Sequence, residues 1–69
     1  MDDKDAKRIE SHLRRTFGNS AIVLKGRPKQ KDSAEVYVGD EFVGVVYRDD
    51  EDGDLSYNFT MAILDIDLE

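Results

Sequence analysis

Three groups of side chains have the type and spacing to do chemistry. The first is the acidic run Asp49-Asp50-Glu51-Asp52-Gly53-Asp54. Hard cations such as Ca²⁺ and Mg²⁺ take several carboxylate oxygens on a bent backbone. Asp49, Asp50, Asp52 and Asp54 are therefore the metal candidates. An EF-hand is excluded: aligning Gly53 with the loop glycine of that motif puts Arg48 at the first ligand position and Phe59 at the last. A solvated hairpin loop accounts for the run equally simply. The second group is basic. Lys25, Arg27, Lys29 and Lys31 fall on alternate residues around Pro28 and are the candidates for binding a phosphate or an acidic partner. No aromatic residue interleaves with them, as a base-stacking surface requires, and a solvated turn that balances the acidic run is the simpler account. The third is His12, the one histidine. A general base needs a substrate or nucleophile within hydrogen-bond reach and an orienting partner. Ser11 is adjacent in sequence but points elsewhere on a helix. There is no Gly-x-Ser-x-Gly turn and no paired-histidine spacing, and the glycines at 18, 26, 39, 44 and 53 make no phosphate loop. Cysteine is absent, which removes thiolate nucleophiles, disulfides and thiolate-bound metals. No catalytic set and no cofactor are expected.

The elements that must position these residues begin with a helix over 3–17. Ala6, Ile9, Leu13 and Phe17 form one apolar stripe at three- and four-residue intervals. Asp2 or Asp3 caps its start, and Arg14, Arg15 and then Gly18 mark its end. Asp3 with Lys7 and Glu10 with Arg14 are acid-before-base pairs four apart, each worth about 0.2–0.5 kcal/mol on a helix surface. Strands are expected over 21–25, 33–38, 41–48 and 55–68, with Gly39-Asp40 as a two-residue hairpin turn. One helix followed by four strands on short connections predicts an α+β two-layer sandwich, the helix packed on an antiparallel four-stranded meander. In that order the basic loop 25–32 and the acidic loop 49–54 emerge at the same end of the sheet, with the acidic start of the helix beside them.

The last strand breaks its own rule. Leu55, Tyr57, Phe59, Met61 and Ile63 share one phase, whereas Leu64, Ile66 and Leu68 share the other. Side chains alternate with period two, so a bulge or bend is expected at 61–64. A terminal helix is the rival, opposed by the acids Asp65, Asp67 and Glu69 at its negative end. Leu64, Ile66 and Leu68 are expected to be buried with Asp65 and Asp67 facing water. If the hairpins close symmetrically, Val36 meets Val43, Tyr37 meets Phe42, Gly44 meets Phe59 and Val46 meets Tyr57. Tyr37, Phe42, Val46, Tyr57, Phe59 and Met61 then share one face, and Val36, Val38, Val43, Val45 and Tyr47 the other. One short helix cannot cover both. Tyr37, Phe42, Tyr57, Leu64, Ile66 and Leu68 are accordingly the candidate interaction residues.

Several stretches resemble a known family. They are Asp32-Ser33-Ala34-Glu35-Val36-Tyr37-Val38-Gly39-Asp40-Glu41-Phe42-Val43-Gly44-Val45, the acidic run with Arg48, and Ser56-Tyr57-Asn58-Phe59 with Met61 to Leu68. Arg14-Arg15-Thr16-Phe17-Gly18 and Arg27-Pro28-Lys29 are similar as well. Together they resemble a small bacterial domain-of-unknown-function family. The resemblance implies a small stand-alone bacterial, cytoplasmic protein, and it carries no established activity, cofactor or catalytic residue.

Size and charge bound the rest. A chain of 69 residues is one domain, and a core of that size supplies only about 3–5 kcal/mol, so self-association is a natural supplement. The formal net charge of −6 repels nucleic acid and anionic membrane. No apolar run approaches the roughly 20 residues of a membrane span, and no export signal is visible, so a cytoplasmic location is expected. The function expected is a non-enzymatic protein-interaction module, acting as a homodimer or as an adaptor for another protein. The alternative is a small anion- or metal-binding domain that uses loops 25–32 and 49–54.

Overall fold

A computed structural model describes residues 1–27, 29–51 and 53–68. Helix α1 (Asp3–Phe17) follows the sequence signals at both ends. The Asp2 carboxylate accepts the Asp5 N–H at 2.9 Å, and Gly18 closes the helix in the left-handed region at φ 60°. Four strands follow, β1 (Ile22–Arg27), β2 (Gln30–Val38), β3 (Glu41–Asp49) and β4 (Ser56–Thr60). They pair antiparallel in the order β1-β2-β3-β4, so the α+β helix-on-meander arrangement holds. The core joins Ala6 and Leu13 of the helix to Ile22, Leu24, Ala34, Val36 and Val46 of the sheet. The helix packs chiefly on β1. Phe17, the last residue of the expected apolar stripe, overhangs the sheet and is 58% exposed.

Three expectations need correction. The basic loop is mostly strand: β1 continues to Arg27 and β2 begins at Gln30, which face each other across a tight turn. The face assignment fails because β3 is bulged. Val36 pairs with Gly44 and Tyr37 with Phe42, leaving Val43 as the extra residue. An extra residue flips the phase of everything before it. Phe42 and Tyr37 therefore lie on the outer face, while Val36 and Val46 lie together under the helix. The third hairpin is offset by two residues from the symmetric closure, with Val46 opposite Phe59 and Arg48 opposite Tyr57. In the connection between the two strands the Gly53 N–H donates to the Asp50 carbonyl at 3.2 Å.

The third correction concerns the C-terminus. β4 stops at Thr60 rather than running to 68, and a single 3-10 turn forms at Asp65–Leu68. The Leu64 N–H donates to Asp67 Oδ2 at 3.1 Å, and the Asp67 N–H returns to the Leu64 carbonyl at 2.9 Å. A local side-chain acceptor has displaced the ladder, as short acids do. Leu64, Ile66 and Leu68, expected to be buried, are 60%, 71% and 72% exposed. Gly44 shows how closely the chain passes here. A Cβ at that position would strike the Thr60 carbonyl and come within 2.6 Å of a Phe59 ring carbon.

The two sheet edges are treated differently. On β1, the Leu24 N–H donates to Glu10 Oε2 at 3.0 Å, and the Ile22 carbonyl accepts from Arg14 Nε at 2.8 Å. Arg14 and Glu10 also pair at 3.3 Å. Sequence spacing makes them an ordinary surface pair; in the structure they cap an edge strand that would otherwise offer itself for pairing. β4 has no such cover among the described residues.

Candidate functional site

Because α1 lies over β1, the β3–β4 half of the same sheet face stays open beside the helix. Two hollows run along it, of about 690 and 270 Å³. They share Leu13 and Phe59 in their walls and so form one groove. At the Tyr57 end the helix supplies Asp5, Arg8, His12 and Arg15, and the floor is Val46. At the other end the lining is almost wholly apolar: Phe17, Val36, Val38, Val43 and Met61. Met61 is half exposed and Phe59 about a third exposed. The sequence placed Phe59 and Met61 on one face but did not mark a groove. The usable signal was the narrowness of the helix stripe, too few apolar residues to cover four strands.

The outer face carries a second cluster. Phe42 meets Tyr37 edge to face at 5.7 Å between ring centroids, and Lys25 Nζ lies 4.6 Å from the Tyr37 ring centre. The Tyr37 hydroxyl donates to Glu35 Oε1 at 3.2 Å. Partial burial, then the Glu35 charge and this bond, push the Tyr37 phenol above its ordinary value. Such a group holds its proton and is poorly suited to act as a base. Of the six candidate interaction residues, Phe42, Leu64, Ile66 and Leu68 are exposed, Tyr37 and Tyr57 are half-buried, and Tyr57 alone borders the groove.

The four basic candidates do not converge. Lys25 is on the outer face with Tyr37. Arg27 is held by Gln30 Oε1 at 3.1 Å and Glu35 at 4.0 Å, and Lys29 is exposed in the turn. Lys31 does meet Arg27 and Arg48 around a hollow of about 390 Å³, with Asp2 and Asp5 in the same wall. The expected meeting of the basic turn with the acidic helix start is thus present, and the Met1 amine reinforces it by donating to the Gln30 carbonyl at 3.3 Å. Among the metal candidates, Asp50 pairs with Arg48 at 3.8 Å, and Asp49 Oδ1 accepts the Glu51 N–H at 3.1 Å. Asp52 lies outside the described residues. Among the described residues no three acids or histidines gather to hold a metal. His12 is exposed, with Nε2 3.4 Å from Thr16 Oγ1, and it has no orienting carboxylate among the described contacts. No helix among the described residues is long and apolar enough to cross a membrane.

No curated protein and no solved structure matches the chain significantly. A family does match, over residues 5–67, from the first turn of α1 to the 3-10 turn. That span takes in the helix, all four strands and the groove between them, and by it the chain belongs to the family described as Protein of unknown function (DUF3126).

Proposed function

We propose that the protein is a small non-enzymatic interaction module that docks another polypeptide along the groove between α1 and β4. One observation carries the reading: a sheet face half covered by its helix, with Phe17, Phe59 and Met61 lining the open half. Contiguous exposed apolar surface of this kind marks interaction sites on small soluble domains. The absence of cysteine and the isolation of His12 support a binding role over a catalytic one. A bacterial cytoplasm is the setting proposed for this work, in line with the family resemblance. Sedimentation of the purified chain, combined with pull-down from native lysate by wild-type and Phe17→Ser/Met61→Ser baits, tests the reading. Association that the groove variant loses is expected. A strict monomer that recovers no partner, or recovers the same partners with the variant, overturns it.

A small-anion site is the second reading, supported by the approach of Arg27, Lys31 and Arg48 around one hollow. Phosphate-induced NMR shifts confined to those residues and their neighbours would favour it, and unchanged spectra at millimolar phosphate would sink it.

A further inference from the structure

We propose that the groove receives residues 63–68 of a second copy of this chain, exchanged reciprocally about a two-fold axis; this deepens the interaction reading and rests on it. The segment is the most exposed apolar stretch of the molecule. Ile63, Leu64, Ile66 and Leu68 are each 60–72% exposed, with Asp65 and Asp67 between them. Drawn out as a strand, it places Leu64, Ile66 and Leu68 on one side and the two acids on the other. The groove has the matching pair of stripes. Its sheet wall is Val43, Phe59 and Met61, above the buried Val46, and its helix rim carries Arg8, His12 and Arg15. Asp5 occupies Arg8 at 3.3 Å, and Arg15 has no ion-pair partner among the described residues. Apolar surface thus meets apolar surface, and acids meet a basic rim. Complementarity of this sort fixes partner and register.

The segment does not fill the groove of its own chain. It leaves the groove's end at Met61, and Ala62, Leu64 and Asp67 instead border a hollow with Phe42, Val45 and Tyr47 on the opposite sheet face. Its 3-10 turn is a single short turn, and no described hydrogen bond ties it to the rest of the fold, so extending it gives up local bonds only. Because the segment emerges at the groove's mouth, two copies set mouth to mouth can each supply the other. A single six-residue seat falls short of the roughly 1,000 Å² expected of a specific interface. Two-fold exchange doubles it, and an isologous contact closes on itself without forming fibres.

Sedimentation equilibrium on the full chain tests this, with circular dichroism confirming that each variant is folded. The wild type should dimerise. Ile66→Ser/Leu68→Ser and Phe17→Ser/Met61→Ser, all at exposed positions, should each weaken the dimer about tenfold or more. Mixing the two should give a heterodimer tighter than either variant's own dimer and weaker than wild type, because it has one intact seat and one seat disabled on both sides. Arg8→Glu/Arg15→Glu should weaken it as well, and adding Asp65→Lys/Asp67→Lys to the same chain should restore it to within about threefold, with the wild-type dimer loosening as salt rises. A wild-type monomer at every concentration overturns the proposal, as does a dimer indifferent to the tail variants or a mixture that associates no better than either variant alone. Failure here with a positive groove-dependent pull-down removes the second copy as occupant and keeps the interaction reading; failure of both removes both.

Discussion

Glu10→Ala is expected to be far more damaging than a helix-surface substitution. Glu10 is only 14% exposed at its side chain, against 69% for Arg8 in the neighbouring Asp5–Arg8 pair. It accepts the Leu24 N–H at 3.0 Å and holds Arg14, whose Nε reaches the Ile22 carbonyl at 2.8 Å. Its removal takes away one charge-assisted bond to the backbone, worth about 1.5–3 kcal/mol, and loosens a second. For a domain of this size each kcal/mol moves the melting temperature by about 4–8 °C, so a fall of roughly 10 °C or more is expected. Glu10→Gln keeps an acceptor for Leu24 and should fall between the two. Arg8→Ala, which touches only Asp5 among the described residues, should cost about 0–1 kcal/mol. Exposing the β1 edge should also promote aggregation during refolding. Thermal melts by circular dichroism, with a double-mutant cycle on Glu10 and Arg14, read these effects. Equal, small losses for Glu10→Ala and Arg8→Ala, with zero coupling to Arg14, would refute the edge-capping argument.

Three further outcomes follow from the same packing. Leu13→Ala should destabilise by about 2–5 kcal/mol, since Leu13 is buried in the core, whereas Arg15→Ala should leave the melt of the monomer nearly unchanged. Gly44→Ala should lower stability and shift the NMR resonances of Thr60 and Met61, because the added carbon meets backbone that cannot step aside; Gly26→Ala, which crowds only the Met1 carbonyl, should be milder. Tyr37 ionises above the ordinary value of 10.0. The folded state therefore keeps its proton longer than the unfolded chain, and the stability so gained is intact below about pH 10 and lost as pH rises through the folded value. Absorbance titration should show a late tyrosine phase that Tyr37→Phe removes, and the variant should lose less stability than wild type on going to strongly alkaline pH.

Helix, strand order and turn at Gly39 were legible because each is written in local chemistry. The Asp2 cap, the stripe through Leu13, the Gly18 stop and a glycine free to take φ 61° need no distant partner. Face and register were not, since both depend on single insertions that alternation cannot reveal. Val43 reads as a regular member of its strand, yet as the bulged residue it reverses which side of the sheet Phe42 occupies. The tail shows the same limit from the other direction. Its phase change was visible, but a bulge within a longer strand and an outright end of the strand satisfy alternation equally well. Asp67 decides between them by taking the Leu64 N–H that a ladder would have used. The Glu10–Arg14 pair was visible as spacing, and its task was not, because nothing in a helical repeat says that the neighbouring strand is an edge.

The groove owes its existence to that same pair. By fastening α1 to the outer margin of β1, Glu10 and Arg14 hold the helix to one side of the sheet and leave Phe59 and Met61 without a second layer. A helix centred on the sheet would bury Phe17 and Phe59 and close the groove, while leaving the β1 edge open to unwanted pairing. The placement trades apolar burial within the chain for a guarded edge and a receptive face. In a domain whose single core contributes only about 3–5 kcal/mol, surface withheld from that core is the surface that the proposed partner would bury.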